Sequence, residues 1–360
     1  MPKVYHKITW LILISILFTF TPIGAVNAFS ITDLLSSIGS GESAAQAGVS
    51  SSEGISNILL SLLFGKLIGN MSNTPGYTPN ANSSNPAAIT NSKELIGFYA
   101  EWWGADTASF TSLSQNLNSV QTLAPFWATL NEDGILTDRG GDDHKSVVDF
   151  AHKNGKSVLL LVNNAKDATN GVLPIHAVLR SQDLRTKSID SLEAYLKKYS
   201  LDGVNIDFEM VPPEDKVYLT AFMRELSARL KPQGYLISID VFPKQDETND
   251  VAAAYDYAEL GKYADKIIIM TYDNHGMWSG PGPIADIRWV ENSLQYALQY
   301  IPKHKVYMGI AAYGYDWAGS KAESIEHKQL QSLLDQYNPA VRWDEPSKSP
   351  NFSQRHRRNC

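Results

Sequence analysis

The segment Leu201-Asp202-Gly203-Val204-Asn205-Ile206-Asp207-Phe208-Glu209 sets three polar side chains at alternate positions of a β-type apolar run. Strand side chains point to opposite faces in turn, so Asn205, Asp207 and Glu209 share one face while Val204, Ile206 and Phe208 share the other. Strands of a parallel sheet are normally apolar on both faces. A column of Asn, Asp and Glu turned inward carries a desolvation cost with no structural return. A strand-end salt-bridge cluster is the bland alternative, and inward carboxylates are rare enough in such strands to make it the weaker one. Two carboxyl groups this close cannot both ionise easily; one gains proton affinity and the pair titrates as a unit. That suits a general acid near neutral pH.

Positioning such a column takes a parallel sheet. Short β-rich runs recur at Leu95–Trp102, Val120–Ala128, Ser157–Asn163, Gly203–Phe208, Tyr235–Phe242, Lys266–Tyr272 and Val306–Tyr313. Helical patterns lie between them, at Lys216–Leu230 and Ile287–Tyr300, with a further helix-like stretch around Ser324–Gln336. Alternation of this kind predicts a parallel sheet with crossover helices. The stretch from residue 93 onward is close to the roughly 250 residues of a (β/α)8 barrel, whose active site lies at the C-terminal ends of its strands. The fold expected is α/β, a TIM-type barrel. Only seven strands are found, and the basic tail Gln354–Cys360 has no strand character, so the eighth is expected to be missing.

Asp202-Gly203-x-Asn205-x-Asp207-x-Glu209 resembles the fourth-strand signature of family 18 glycoside hydrolases, the chitinase family. Met270-Thr271-Tyr272-Asp273 is similar to that family's sixth-strand motif, and Gly309–Trp317 to the end of its seventh strand. Tyr272-Asp273-Asn274-His275 and Trp343-Asp344-Glu345, with Ser349-Pro350, resemble bacterial cell-wall and spore-cortex peptidoglycan hydrolases in particular. The resemblance spans about residues 94–350. It implies a retaining, substrate-assisted glycosidase acting on β-1,4 bonds next to N-acetylglucosamine, in peptidoglycan or chitin-like glycans. Glu209 would be acid and then base, Asp207 would hold the acetamido N–H, and Tyr272 would orient the acetamido oxygen. Asn205, Asp202, Met270 and Asp273 enter as substrate-binding residues on the same motifs. No metal or cofactor is implied. Asn205 departs from the middle Asp of many chitinases and lowers the local negative charge. The family's eighth strand carries a tryptophan under the catalytic subsite, and this sequence supplies neither. The domain is therefore expected to be C-terminally incomplete, and a weakly active or non-catalytic carbohydrate-binding barrel is the alternative.

Sugar faces stack on aromatic rings, so strand-end aromatics are candidate subsite walls. Tyr99, Trp102 and Trp127 stand out, although any one such ring is more often core than ligand contact. Asn163 ends the third run, where a polar side chain suits a sugar hydroxyl. Asp142-Asp143-His144 reads as a solvated turn in a Gly-rich loop and not as a metal site.

Residues 1–28 have a charged start at Lys3, His6 and Lys7, an apolar run from Ile8 to Phe20, and the small-residue exit Ala25-Val26-Asn27-Ala28. These are the three parts of a secretory signal peptide, cleaved near Ala28. Residues 29–92 are Ser-, Gly- and Asn-rich, with an amphipathic pattern from Ile55 to Leu67 and a flexible linker after it. The catalytic domain is placed at 93–360. The protein is expected to be secreted or wall-associated, without firm membrane attachment and monomeric. Lys and Arg number 31 against 38 Asp and Glu, a net charge of −7, which argues against a nucleic-acid partner. Cys360 is the only cysteine, so there is no disulfide framework and no multi-cysteine zinc site.

Overall fold

A computed structural model describes residues 15–19, 94–100, 108–140, 143–166, 173–248, 250–319 and 321–353. The amphipathic pattern at Ile55–Leu67, the linker, the basic tail and Trp102 lie outside them, as does most of the leader. The chain divides into two compact units.

The first unit holds Glu94–Tyr272 and Tyr296–Ala311, together with the N-terminal strand β1 (Ser15–Thr19). Seven strands run parallel: β2 (Leu95–Tyr99), β3 (Thr122–Leu130), β5 (Ser157–Asn164), β6 (Gly203–Asp207), β7 (Leu236–Val241), β8 (Lys266–Ile269) and β9 (Val306–Ala311). Each coincides with one of the seven runs read from sequence, within two or three residues. The short β4 (Leu136–Asp138) folds back antiparallel on β3. Among the described residues no eighth parallel strand follows β9. The seam between β9 and β2 is instead occupied by β1, antiparallel to both.

The helices form where apolar residues repeat at helical spacing. Helix α5 (Lys216–Leu230) buries Leu219, Phe222, Met223, Leu226 and Leu230, one apolar stripe, and its bounds are those the sequence predicts. Helix α4 (Gln182–Tyr199) starts on Ser181, whose hydroxyl accepts from the Leu184 amide, and stops at Ser200 in the left-handed conformation. Inside the sheet, Ile96, Phe98, Ala124, Phe126, Leu161, Ile268 and Tyr307 form one buried apolar cluster.

The second unit holds Asp273–Gln295 and the residues from Ala312 onward. Strands β10 (Tyr313–Ala318) and β11 (Lys321–Glu326) pair as a hairpin, as do β12 (Arg342–Asp344) and β13 (Ser349–Asn351). Helix α8 (His327–Tyr337) begins three residues later than the sequence pattern suggests, because Ser324–Glu326 pair in β11. Glu326 and Gln329 form a capping box at its start. Helix α7 (Ile287–Tyr300) has the expected bounds.

Cleavage after Ala28 would take β1 out of the seam and leave the facing backbone groups of β2 and β9 unpaired, an exposed-edge liability. A chain beginning at Phe29 is expected to be less stable than the full chain by on the order of a few kcal/mol, the net worth of the lost backbone hydrogen bonds. Urea unfolding of the two chains checks this; coincident midpoints would show that β1 adds nothing.

Candidate active site

Strand β6 reaches its position because Gly203 lets two backbones touch. A Cβ at 203 would lie 2.1 Å from the carbonyl oxygen of Leu236, so any side chain would push β6 off β7. Asp202, just before the strand, accepts from the Val158 amide at 2.7 Å and faces the His152 ring nitrogen at 2.8 Å. It therefore ties β5 to β6 at the N-terminal end of the sheet. That corrects its expected place in substrate binding: the chemistry of such a barrel gathers at the opposite, C-terminal end.

Above it, Asn205 is fully buried. Its amide oxygen accepts from Ser238 Oγ at 2.6 Å, and its amide nitrogen donates to Asp240 Oδ2 at 2.6 Å. Ile206 pairs with Ile239, so the residues that follow them, Asp207 and Asp240, stand beside each other on neighbouring strands. Both are buried, with 9% and 3% of their surface exposed. Glu209, two residues past the end of β6, is partly exposed. Two hydrogen bonds from Asn164 pin its backbone: Glu209 N donates to Asn164 Oδ1 at 2.8 Å, and Asn164 Nδ2 donates to Glu209 O at 3.2 Å. Tyr255 Oη donates to the Phe208 carbonyl at 2.6 Å. Met210 follows with φ of 54°, a left-handed conformation unusual for a non-glycine residue and common beside functional groups. The Glu209 carboxylate forms an ion pair with Lys166, which lies just past the end of β5.

These surroundings separate the carboxyls electrostatically. Burial, and then the charge of Glu209, push Asp207 up to about 8, with Lys166 pulling the other way. Burial and then the neighbouring Asp207 push Asp240 well above the carboxylate range, against the pull of its hydrogen bond from Asn205. At neutral pH this pair holds onto protons that exposed carboxyls would have lost.

Tyr272 stands at the end of β8, and a second glycine makes room for it. A Cβ at 309 would lie 2.7 Å from the Tyr272 ring and 2.8 Å from the Ile269 carbonyl. Thr271 Oγ1 donates to the Gly309 carbonyl at 2.7 Å, so the turn after β8 is locked to β9. Met270 is buried and hydrogen-bonds through its backbone to Val241, so its part is packing beneath the site. Asp273, also left-handed at φ of 61°, belongs to the second unit, where its carboxylate accepts from Tyr313 and, at 3.1 Å, from Tyr315.

The aromatic candidates fare less well. Trp127 is fully buried, stacked on His144 at 4.0 Å between centroids, and meets Tyr99 edge-on at 6.3 Å. Tyr99 is also buried. Neither presents a free ring face, so both are corrected from subsite wall to core. His144 accordingly leaves the expected solvated turn, while Asp143 beside it caps helix α2 (His144–Lys153). Asn163 is half-buried on the strand register of Asp207 and accepts from Thr129 Oγ1 at 2.7 Å. Sequence reasoning missed Asp240 and Lys166, which complete the polar cluster at the strand ends.

Two buried, proton-holding carboxyls beside a more exposed one, at the strand ends of a parallel sheet, are the paired carboxyls that a glycosidase needs. The chain belongs to the glycosyl hydrolases family 18, whose sequence profile matches residues 94–356. It is 33% identical over 268 residues to the uncharacterized glycosylase YvbX of Bacillus subtilis (strain 168), covering 72% of this chain and 77% of that one. Among solved structures it is similar to a chitinase from Chromobacterium violaceum ATCC 12472, at 25% identity and a TM-score of 0.65, over 72% of this chain and 81% of that one. It is also similar to the Bacillus cereus spore cortex-lytic enzyme SleL, at 26% identity and a TM-score of 0.64. That match covers 72% of this chain and 61% of SleL, under two thirds of its length.

Proposed function

We propose that this glycosidase is secreted and cleaves β-1,4 bonds next to N-acetylglucosamine in peptidoglycan, by a retaining, substrate-assisted mechanism. The observation that carries the reading is the division of labour at the end of β6: Glu209, two residues past the strand, is partly exposed, while Asp207, its last residue, is buried. Glu209 gives its proton to the glycosidic oxygen as the bond from the anomeric carbon to that oxygen breaks. The acetamido oxygen of the same sugar closes on the anomeric carbon, forming an oxazolinium ring. A carboxyl with the raised proton affinity of Asp207 is a strong acceptor for the acetamido N–H as that group gains positive charge. Tyr272 orients the acetamido oxygen for attack. Water then adds to the anomeric carbon, and Glu209 takes up the proton that water releases.

The similarity to a spore cortex-lytic enzyme supports peptidoglycan as the polymer, and the similarity to a chitinase makes chitin the polymer to compare it with. The leader pattern in residues 1–28 supports export. Incubating the purified protein with peptidoglycan and with chitin, side by side, is expected to release fragments ending in reducing N-acetylglucosamine, faster from peptidoglycan. Release from neither polymer would overturn the reading, and faster release from chitin would overturn the choice of polymer.

A further inference from the structure

The residue after the acid is a methionine in an unfavourable backbone conformation. Met210 has φ of 54°, a left-handed region that its β-carbon makes costly. The chain on either side is anchored. Asn164 holds the amide and the carbonyl of Glu209, and Tyr255 holds the carbonyl of Phe208. Phe208 and Val211 are buried, and Pro212-Pro213 follow. Between these anchors Met210 is 48% exposed, a large apolar side chain turned out to solvent beside the partly exposed Glu209. Of the other described methionines, Met223, Met270 and Met308 are buried, and Met277 is 50% exposed. Met277 stands between Gly276 and Trp278 and has no acid next to it in the chain.

A thioether must meet its oxidant in solvent, so exposure selects which methionines are converted to the sulfoxide. We propose that Met210 is an oxidation site for peroxides, and that its sulfoxide slows glycoside hydrolysis at Glu209. In the reaction the sulfur lone pair attacks one oxygen of hydrogen peroxide. The S–O bond forms, the O–O bond breaks, and the second oxygen leaves as water with both peroxide protons. Sulfur loses two electrons and the peroxide gains them. The product matters because of what stands next to it. A thioether sulfur is a weak hydrogen-bond acceptor, whereas the sulfoxide is polar. Consecutive Cα atoms are about 3.8 Å apart, and methionine has three rotatable bonds, so a sulfoxide oxygen at 210 lies within reach of the carboxyl at 209. The proton that Glu209 must give to the glycosidic oxygen then has a second acceptor. That hydrogen bond has to break before the proton moves, which lowers kcat and leaves substrate binding in place. The slowing rests on Glu209 as the acid; the oxidation itself does not.

The test treats the full-length protein with hydrogen peroxide, maps its peptides by mass spectrometry, and follows hydrolysis before and after. Met210 and Met277 are expected to gain one oxygen each, while Met223, Met270 and Met308 gain none. The treated wild type should lose about two- to tenfold in kcat, the factor set by one ordinary hydrogen bond, with KM nearly unchanged. Methionine sulfoxide reductases acting on both epimers should restore the rate, which oxidation of Cys360 or of a tryptophan would not allow. Each variant is compared with itself before treatment, so its starting rate does not enter. Met210→Leu should keep its rate through the treatment, and Met277→Leu should lose and regain rate as the wild type does. That second variant still decides the matter if Met210→Leu does not fold. A Met210 left unoxidised while Met277 reacts would overturn the inference. So would an equal loss of rate in Met210→Leu, or a loss that disappears in Met277→Leu. A wild type that cuts neither peptidoglycan nor chitin before treatment removes the hydrolase reading, and the slowing with it, while the peptide map still decides whether Met210 is the oxidation site.

Discussion

Glu209→Gln is expected to lower kcat by about a hundred- to ten-thousandfold while leaving glycan binding in place. Gln keeps the shape of the side chain and loses the proton that the leaving oxygen needs. The Asn164 clamp on the residue 209 backbone is untouched by the change, so the strand end should keep its position. The same substitution removes the second-largest influence holding protons on Asp207, the charge of Glu209. The Asp207 carboxyl is therefore expected to titrate below its wild-type value of about 8 in the variant. Steady-state hydrolysis of a soluble oligosaccharide, calorimetric binding of that oligosaccharide and carboxyl titration by NMR check the three parts. Hydrolysis that survived the change would show that another group supplies the proton.

The Asn-Asp-Glu column was legible because period-two alternation needs only the strand to exist, and strands of four to nine residues with clear flanks are easily found. The same argument would have found Asp240. Ser238 and Asp240 alternate with Ile237, Ile239 and Val241 just as Asn205 and Asp207 alternate with their neighbours, so the inward carboxyl on β7 was written in the pattern. Asp240 also bears on the departure at Asn205: the hydrogen bond between them puts a carboxyl on the next strand, within reach of the position that lacks one. Lys166 had no such signal. It lies beyond the end of β5, and only the pairing of β5 with β6 brings it to Glu209. Trp127 failed for a definite reason: the β3–β5 register shifts between Phe126 and Ala128, so Trp127 is a bulge residue. One extra residue in a strand reverses which way the following side chains point, and alternation cannot reveal it. Nor could sequence periodicity place β1, because an apolar run that resembles an export signal has no partner strand written beside it.

The buried carboxyls should make the protein less stable as pH rises, the opposite of the usual behaviour of paired acids. An ordinary Asp ionises near 3.8, whereas Asp207 in the fold holds its proton up to about 8. Between those values the folded chain binds a proton that the unfolded chain has released, so the stability of the fold falls with pH, by about 1.4 kcal/mol per unit for one whole proton. Below about pH 4 both states are protonated and the cost is absent; above about pH 8 both are ionised and it no longer grows. Asp240, also held high by burial and by Asp207, adds to the decline in the same direction. Asn at position 207 has no proton to hold. Asp207→Asn is therefore expected to be more stable than the wild type by on the order of 2–4 kcal/mol at pH 7, the gap closing toward pH 4, while turnover is lost. Asp240→Asn should flatten the pH dependence as well, because it removes the second buried carboxyl that holds a proton in the fold. Urea midpoints of the three proteins at pH 4, 6 and 8 decide the matter, and parallel curves would refute the argument. The hydrogen bond that Asp240 accepts from Asn205 offsets only part of a cost of this size. The return lies in a carboxyl that grips a proton strongly enough to accept from an acetamido group as its positive charge develops, and that is why the fold tolerates it.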